Sequence, residues 1–323
     1  TPSRSWSRSI IPLAAEENPM LTYDHYVSAS TLADAFDALD AIPGARLIAG
    51  GTDLLPWARE GRAGDVHLPA LIDVSAIAEL GVLSLEGARL AIGAAVPISA
   101  SEDDLRLVEN AQVLGRCAVW FADDQIREQA TFGGNIVNAS PAGDSLPALL
   151  ALDAQLVLAS RPPDGRIVER RVALADFIVS PGRTVLQDKE ILIRIEFDAA
   201  PGYGCCFEKV GHRRSLVIST VCLAVVVKLD APGETIRDVR IAVGAVGPVA
   251  ERLHDCEAAL LGATPDPQRI RDVAERTVDR VRSRSRQEYR REVLVNFVER
   301  GLIEALGRAG ARVERLPKET LYA

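Results

Sequence analysis

The sequence of 323 residues predicts an α+β protein of two domains. Over residues 20–200, short apolar segments alternate with helical patterns, and a break follows at 198–202. After the break come two long β-rich segments, 216–230 and 235–249, and then two helical patterns. Because these two strands are joined by a turn rather than a helix, we expect a small antiparallel sheet with helices on one face.

Composition and charge narrow the class of protein. Hydrophobic residues make up 48% and charged residues 25%, an ordinary balance for a globular chain. The net charge of −8 argues against a nucleic-acid partner, which would need a clustered basic surface. We interpret the basic run at 280–286 as a solvated helix face or a subunit contact rather than a phosphate-binding patch. No apolar run reaches the ~20 residues of a membrane helix, so no membrane span is expected.

The five cysteines show neither a metal-binding nor a disulfide pattern. No CxxC pair occurs, and the adjacent Cys205 and Cys206 could form a disulfide bond only with strain. We interpret all five as buried thiols of a reducing compartment, the cytoplasm, and expect no metal on this chain. Residues 1–19 are too interrupted for a signal peptide and are expected to form a loosely ordered extension, and 310–323 a tail.

Within the domains, caps and apolar periodicity predict the individual elements. A helix begins at the capping residues Ser30 and Thr31 and ends at Pro43–Gly44. Period-2 and helical patterns predict the rest. In chain order these are strands at 45–49, 70–75 and 89–96, a helical segment at 101–119, a helix running into a strand at 145–160, a strand at 189–197, the two β-rich segments, and helices at 252–262 and 267–308, the latter broken.

Two glycine segments interrupt the first domain where a strand or extended segment ends. They are "RLIAGGTDLLP" and "ATFGGNIVNASPAGD". Backbone N–H groups in glycine-rich turns form nests for anions, and a missing Cβ lets a phosphate come close. Gly50–Gly51 and Gly133–Gly134 would supply one nest for each phosphate of a pyrophosphate, with side-chain donors from Thr52 and Asn135. The alternative is two ordinary β-turns, since neither a GxGxxG fingerprint nor a Walker A motif is present.

Four segments, in this order, resemble the FAD-binding medium subunit of the molybdenum hydroxylases, the family of xanthine dehydrogenase and carbon monoxide dehydrogenase. They are "LIAGGTDLLP", "QIREQATFGGNIVNASPAGDSLPALLALDA", "EILIRIEF" and "RIAVGAVGPV", and the likeness extends from about Leu21 to about Gly307. It implies a two-lobed FAD-binding domain of the vanillyl-alcohol-oxidase (PCMH) type at 20–200, made of two α/β subdomains. It also implies a C-terminal α+β domain at 201–309 like that of the CO dehydrogenase flavoprotein.

The resemblance further implies which residues would hold FAD. Residues 47–54 would line the pyrophosphate and ribityl chain, with Asp53 accepting hydrogen bonds from hydroxyl groups. Phe121 would stack on the ring system, the alternative being that Phe121 and Trp120 are plain core aromatics. The full expected set is Leu47, Ile48, Ala49, Gly50, Gly51, Thr52, Asp53, Leu54, Phe121, Ala122, Ala130, Thr131, Gly133, Gly134, Asn135, Ser140, Asp144, Ile191, Leu192 and Lys209.

Among these residues, Lys209 alone is expected to affect the chemistry. The resemblance places it at the carbonyl edge of the flavin, where it would tune the potential. Asp144, in the S-P-x-x-D stretch, would bond ribityl or ribose hydroxyls, and Ile191 and Leu192 would pack near the ring. His212 is interpreted as a surface histidine rather than an anion ligand.

Partners and an electron-transfer role are also implied by the resemblance. A large subunit with the molybdenum cofactor would oxidise the substrate, and a small subunit with two [2Fe–2S] clusters would pass electrons to FAD here. Two such heterotrimers would be able to pair. Val217 stands where NAD-using relatives often carry an acidic residue, so NAD is not implied as the final acceptor. Two alternatives stay open: a stand-alone FAD oxidase or reductase with this fold, and a binding protein that has kept the fold without flavin.

Overall fold

A computed structural model of the chain describes residues 21–59, 67–213, 215–283 and 285–316. The predictions for the N-terminal extension, for the tail beyond 316 and for Arg284 of the basic run lie outside the described residues. In the described ranges, a small parallel sheet is followed by two larger antiparallel sheets with helices packed on them. This mixture confirms the predicted α+β class. No helix in these ranges is both long enough and apolar enough to cross a membrane.

The first lobe is a three-stranded parallel sheet with a helix packed on it. Its elements are β1 (Thr22–Ser28), α1 (Leu32–Ala41), β2 (Arg46–Ile48), α2 (Leu54–Arg59) and β3 (His67–Asp73). Strand β3 lies in the middle and runs parallel to both neighbours. Helix α1 begins where predicted, because the Thr31 hydroxyl accepts the N–H of Asp34 at 3.1 Å and caps the first turn.

The second lobe is a five-stranded antiparallel sheet, in the order β4–β5–β10–β6–β7, covered by short helices; β8 and β9 form a separate ribbon. The strands of this lobe are β4 (Leu83–Glu86), β5 (Arg89–Gly93), β6 (Gln155–Ser160), β7 (Val168–Ala173), β8 (Ile178–Ser180), β9 (Arg183–Thr184) and β10 (Ile191–Asp198). Its helices are α3 (Ala100–Asp103), α4 (Leu105–Asn110), α5 (Gln112–Ala118), α6 (Asp124–Gln129), α7 (Phe132–Val137), α8 (Ser145–Ala151) and α9 (Leu174–Phe177). A 3₁₀ turn lies at Ala78–Gly81. The segment predicted as one helix at 101–119 is three, because Asp104 caps α4 anew and Ala111 leaves the helical conformation.

The third sheet is antiparallel, in the order β11–β12–β13–β14, and a long helix packs on it. Its elements are β11 (Gly204–Val210), β12 (Val221–Leu229), β13 (Ile236–Gly244), β14 (Glu251–Arg252), α10 (His254–Leu260), α11 (Pro267–Glu275), a 3₁₀ helix at Arg276–Arg280 and α12 (Gln287–Arg308). The predicted strand at 216–230 begins later, at Val221, since Leu216 has a φ of 49° that a strand does not accept. The broken helical pattern after 267 is confirmed.

Helix α8 joins the second lobe to the third sheet. All seven of its residues are buried, and it packs against both β12 and β13. One hydrophobic core therefore continues from the second lobe to Phe207 and Ala224 of the third sheet. The first lobe has a separate core around Phe36 and Ile72, which also includes Ile191 and Ile193 of β10. The two lobes are thus packed together through this core, at one end of the cleft that lies between them.

Candidate functional site

A cleft between the first and second lobes collects most of the expected site residues. It runs from the loop after β2, along α7, to the start of β10. Of the expected residues, its lining contains Leu47, Ile48, Ala49, Gly50, Gly51, Thr52, Asp53, Leu54, Phe121, Ala130, Thr131, Gly133, Gly134, Asn135, Ile191 and Leu192. Segments that are distant in sequence therefore meet around one space, as a binding site requires.

Four expected residues do not line this cleft. Ala122 lies in the turn after Phe121 and has a φ of 43°. Ser140 lines a different cavity of about 650 Å³, whose wall also includes Arg282 and Arg290. The other two, Asp144 and Lys209, are buried against each other.

The loop after β2 contains three consecutive backbone N–H groups, those of Gly50, Gly51 and Thr52. Within the described part of the chain, the N–H groups of Gly50, Gly51 and Thr52 donate to no protein acceptor. All three residues line the cleft. Gly51 has a φ of 67°, a left-handed conformation that favours glycine and turns the chain. Consecutive free N–H groups in such a turn can hold an anion without a charged side chain.

Gly50 is required by the packing of the protein itself. A Cβ at this position would lie 1.8 Å from the carbonyl oxygen of Gln129, at the end of α6. The loop of the first lobe therefore touches the second lobe backbone to backbone. The missing side chain of Gly50 thus serves the contact between the lobes and that of Gly51 the turn, while the N–H groups of both glycines stay available for a phosphate.

The second glycine segment offers no comparable nest. The N–H of Gly133 donates to the carbonyl of Ala94 at 2.9 Å, and the N–H of Asn135 to the carbonyl of Thr131 at 3.0 Å. The N–H of Gly134 donates to the Thr131 hydroxyl at 3.0 Å, which caps α7. The prediction of a second nest at these residues is therefore wrong, because the cap and first turn of α7 and the carbonyl of Ala94 take their N–H groups.

The two glycines of this second segment differ in what they make possible. A Cβ on Gly133 would lie 2.6 Å from the Cβ and the carbonyl oxygen of Ala94, so this glycine allows α7 to pack on the chain after β5. A Cβ on Gly134 would meet only the Thr131 hydroxyl, at 2.9 Å. Gly134 is exposed and lines the cleft. It is thus the glycine whose missing side chain keeps the cleft open.

Side chains supply the polar groups of the wall formed by α7. Asn135 lines the cleft, and its Oδ1 accepts a hydrogen bond of 2.6 Å from the hydroxyl of Ser145. Asn138 lies one turn further along the same wall and was not predicted. Other lining residues not predicted from the sequence are Arg46, Trp57, Val74, Leu80, Ala94, Ala95, Val137, Leu186 and Glu190. Arg46, Val137 and Glu190 lie within the quoted motifs, which was the available signal for them.

The structure separates the roles of the two neighbouring aromatics. Phe121 is 8% exposed and lines the cleft, whereas Trp120 is 42% exposed on the surface. Arg127 donates to the carbonyl of Phe121 at 3.0 Å and forms an ion pair of 2.7 Å with Glu102. This buried arginine fixes the turn in which Phe121 lies, so that its ring remains at the wall of the cleft.

Asp144 and Lys209 form a buried ion pair behind that turn. The Lys209 ammonium group donates to Asp144 at 2.6 Å and to the carbonyl of Trp120 at 3.0 Å, and the Ser219 hydroxyl donates to the other Asp144 oxygen at 2.5 Å. The side chains are 2% exposed for Lys209 and 9% for Asp144. Burial raises the pKa of the Asp144 carboxyl, and the charge of Lys209 opposes that rise. The pair thus ties α8 and β11 to the turn that positions Phe121.

All five cysteines are free and buried, which confirms the interpretation as buried thiols. Burial raises the pKa of the Cys256 thiol to about 11, so the thiolate is scarce at neutral pH. Cys206 lies with Glu208 and Glu304 in a cluster whose ligand atoms are within 4.8 Å of one another. Arginines already pair with both of these carboxylates, which makes it an ion-pair cluster.

Comparisons with known proteins cover nearly all of the described chain. A family model described as the FAD binding domain in molybdopterin dehydrogenase matches residues 20–198, and the CO dehydrogenase flavoprotein C-terminal domain matches 207–305. The xanthine dehydrogenase FAD-binding subunit of Escherichia coli O157:H7 is 30% identical over 302 residues, which is 91% of this chain and 100% of that protein.

Carbon monoxide dehydrogenase of Hydrogenophaga pseudoflava is similar in both sequence and structure. Its medium chain is 30% identical over 239 residues, 72% of this chain and 78% of that protein. A solved structure of that dehydrogenase superposes with a TM-score of 0.80 at 28% identity, covering 90% of this chain and 99% of the other. The two family models together span residues of all three sheets and both glycine segments.

Proposed function

This chain belongs to the FAD-binding medium subunits of the molybdenum hydroxylase family, which are flavoprotein components of oxidoreductases, and we propose that it binds FAD in the cleft between its lobes and relays electrons. In this proposal the electrons come from [2Fe–2S] clusters on a small partner subunit. They leave for an external acceptor. A large partner subunit carries the molybdenum cofactor and oxidises the organic substrate.

The observation that carries the proposal is the set of free N–H groups on Gly50, Gly51 and Thr52. They lie in a cleft that Gly134, by its missing side chain, helps to keep open. A diphosphate carries acceptor oxygens and negative charge, and such a nest is suited to both. The residues present therefore fit a dinucleotide cofactor, with the diphosphate at the end of β2.

The other lining residues suit the remaining parts of FAD. The apolar wall of Leu47, Ala94, Ile191 and Leu192 can cover flat ring faces and exclude water. Phe121 adds an aromatic face on the same cleft. When bound, FAD supplies the capacity to take up electrons one at a time and to release them as a pair. The chain's own share is to hold the cofactor and to shield it from water and oxygen.

We further propose that Lys209 affects the potential of the flavin through the turn it supports. Its ammonium group bonds the carbonyl of Trp120, next to Phe121, and the carboxylate of Asp144. A positive charge near the cofactor stabilises its reduced, anionic form. In Lys209→Ala the midpoint potential of the bound flavin should fall, and an unchanged potential would place the flavin ring away from this group.

The experiment that tests the function is purification of the chain from its host through a C-terminal affinity tag. The visible spectrum is recorded, and flavin, iron and molybdenum are measured in the same sample. One flavin per chain together with iron, molybdenum and two further subunits is the expected result. Flavin without metals, bleached directly by an organic substrate, would instead establish a stand-alone oxidase. A colourless preparation without flavin would contradict FAD binding.

Three finer expectations belong to the same proposal. Residues 20–200 and 201–309 are separate domains, and two heterotrimers pair into a larger assembly. The five buried, free thiols are consistent with the cytoplasm as the compartment. The acceptor is one that does not depend on an acidic residue at position 217, where this chain has Val217.

A further inference from the structure

We propose that Ser145 is a positioning residue that fixes the side-chain amide of Asn135 with its NH₂ group toward the cofactor. This inference rests on the proposed binding of FAD in the cleft. In this orientation, α7 would contact the cofactor through the Asn135 amide and not through the nest of backbone N–H groups expected there from the sequence. It also assigns a role to a hydroxyl group that does not itself line the cleft.

The geometry defines the direction of the amide. The Ser145 hydroxyl lies 2.6 Å from Oδ1 of Asn135, and a carbonyl oxygen can only accept this hydrogen bond. With Oδ1 engaged on the protein side, Nδ2 is left as the polar end of the side chain. Asn135 lines the cleft together with Gly50, Gly51 and Thr52. The amide is therefore a donor in the same cleft as the free N–H groups of that loop.

The hydroxyl group of Ser145 lies in a tightly packed part of the protein. Ser145 is 1% exposed at the start of α8, a helix whose residues are all buried. Gly143 lies beneath Oδ1, where an added Cβ would be 3.3 Å from it. A rotated amide would direct Nδ2 at the buried hydroxyl and present Oδ1 to the cofactor. That arrangement would set an acceptor against the acceptor oxygens of a diphosphate or of ribityl groups.

The test measures the dissociation constant for FAD on the protein as purified from its host, with any accompanying subunits, after removal of the flavin. Asn135→Ala should weaken binding on the order of 30-fold, the effect of losing one hydrogen bond to a charged group. Ser145→Ala should weaken it roughly 5-fold, since the amide remains but is no longer oriented. The matched control is Ser101→Ala, which removes a hydroxyl of the same 1% exposure whose bond is to the carbonyl of Ile98.

A double-mutant cycle separates positioning from general stability. If Ser145 acts through Asn135, adding Ser145→Ala to Asn135→Ala should change the dissociation constant by less than about 2-fold. An equal, additive loss in both backgrounds would overturn the proposal, as would a loss of the same size in Ser101→Ala. Retained affinity in Ser145→Ala would overturn it as well.

A second variant keeps the test decisive if Ser145→Ala folds poorly. Asn135→Asp retains the acceptor for the Ser145 hydroxyl but replaces the NH₂ group with an anionic oxygen. Its affinity should fall below that of Asn135→Ala, and affinity equal to wild type would overturn the proposed orientation. Failure of the wild-type protein to take up FAD would contradict the proposed function itself, and so it is distinguishable from failure of Ser145 alone.

Discussion

The ammonium group of Lys209 lies 2.6 Å from a carboxylate oxygen of Asp144, and this buried contact holds the third sheet against the start of α8. The other end of the helix is held in the same way. Arg252 and Arg240, both on the third sheet, donate to the carbonyls of Leu150 and Ala151 at 3.3 and 3.4 Å. Cations near a helix C-terminus satisfy its last carbonyl groups. Helix α8, which packs against α7 of the cleft wall, is therefore held by the third sheet at both of its ends.

The variant Lys209→Ala should destabilise the protein by about 3–5 kcal/mol, because it leaves Asp144 as an unpaired buried charge. Lys209 is 2% exposed, so solvent does not screen the loss. Urea unfolding monitored by circular dichroism would measure the change. Because part of the cost is the stranded carboxylate, Lys209→Met combined with Asp144→Leu should recover more than half of it. A loss below about 1 kcal/mol in the single variant would mean that the pair is hydrated in solution.

The variant Gly50→Ala should weaken the association of the two lobes. The new Cβ would lie 1.8 Å from the Gln129 carbonyl oxygen, so the two backbones would have to move apart. We expect a loss of about 1–3 kcal/mol in stability together with loss of FAD. The control is Gly81→Ala, whose Cβ has no neighbour within 4 Å. Equal melting temperatures for the two variants would show that the loops do not touch as described.

The series Gly134→Ala and Gly134→Val should reduce FAD retention step by step while the fold persists. Among the described residues, an added Cβ would meet the Thr131 hydroxyl at 2.9 Å and no other atom within 4 Å, and the larger side chain takes up space in the cleft that Gly134 lines. The flavin content per purified chain should fall in the Gly134→Ala variant and be lost in the Gly134→Val variant. The melting temperature of the apoprotein should change by only a few degrees in either. Full flavin occupancy in Gly134→Val would show that the cofactor does not lie against this wall of the cleft.

Lowering the pH should destabilise the protein through protonation of Glu190, whose side chain lines the cleft. Its two hydrogen bonds from Arg170, at 2.6 and 2.7 Å, hold the pKa of this carboxyl below its ordinary value, although burial acts in the opposite direction. The pKa of Glu190 is lower in the folded state than in the unfolded state. The Glu190–Arg170 pair therefore makes its full contribution to the free energy of unfolding above the ordinary glutamate pKa of about 4.3, and this contribution is lost as the pH falls through the lowered value. Melting temperatures between pH 7 and 3 should therefore decline less steeply in Glu190→Gln. The exposed Glu86→Gln is the control, and parallel declines in wild type and Glu190→Gln would contradict the assignment.

Elements with strong local signals were predictable from the sequence. The cap at Thr31 and the apolar period of α1 are local features, and so is the long apolar run that becomes β12. Helix α7 was not predicted, because two of its residues are Gly133 and Gly134, and glycine disfavours helices. It forms through tertiary contacts, with the Thr131 cap and the carbonyl of Ala94 taking its first N–H groups.

The composition of the site was more predictable than its arrangement. The motifs located both glycine segments, but they do not show that Gly50 packs on Gln129, about eighty positions away in the chain. Nor could they distinguish Gly134, which faces the cleft, from Gly133, which packs on the protein. The bond between Ser145 and Asn135 depends on how α8 is packed. Such relationships come from the assembly of the lobes and leave no local pattern.

An experimental structure of the purified protein with its cofactor bound would decide whether FAD lies in the cleft. We expect FAD between the two lobes, with diphosphate oxygens at hydrogen-bond distance, roughly 3 Å, from the N–H groups of Gly50, Gly51 and Thr52. The NH₂ group of Asn135 should face the cofactor from the other wall. A diphosphate bound elsewhere, with these three N–H groups facing only solvent, would contradict the account.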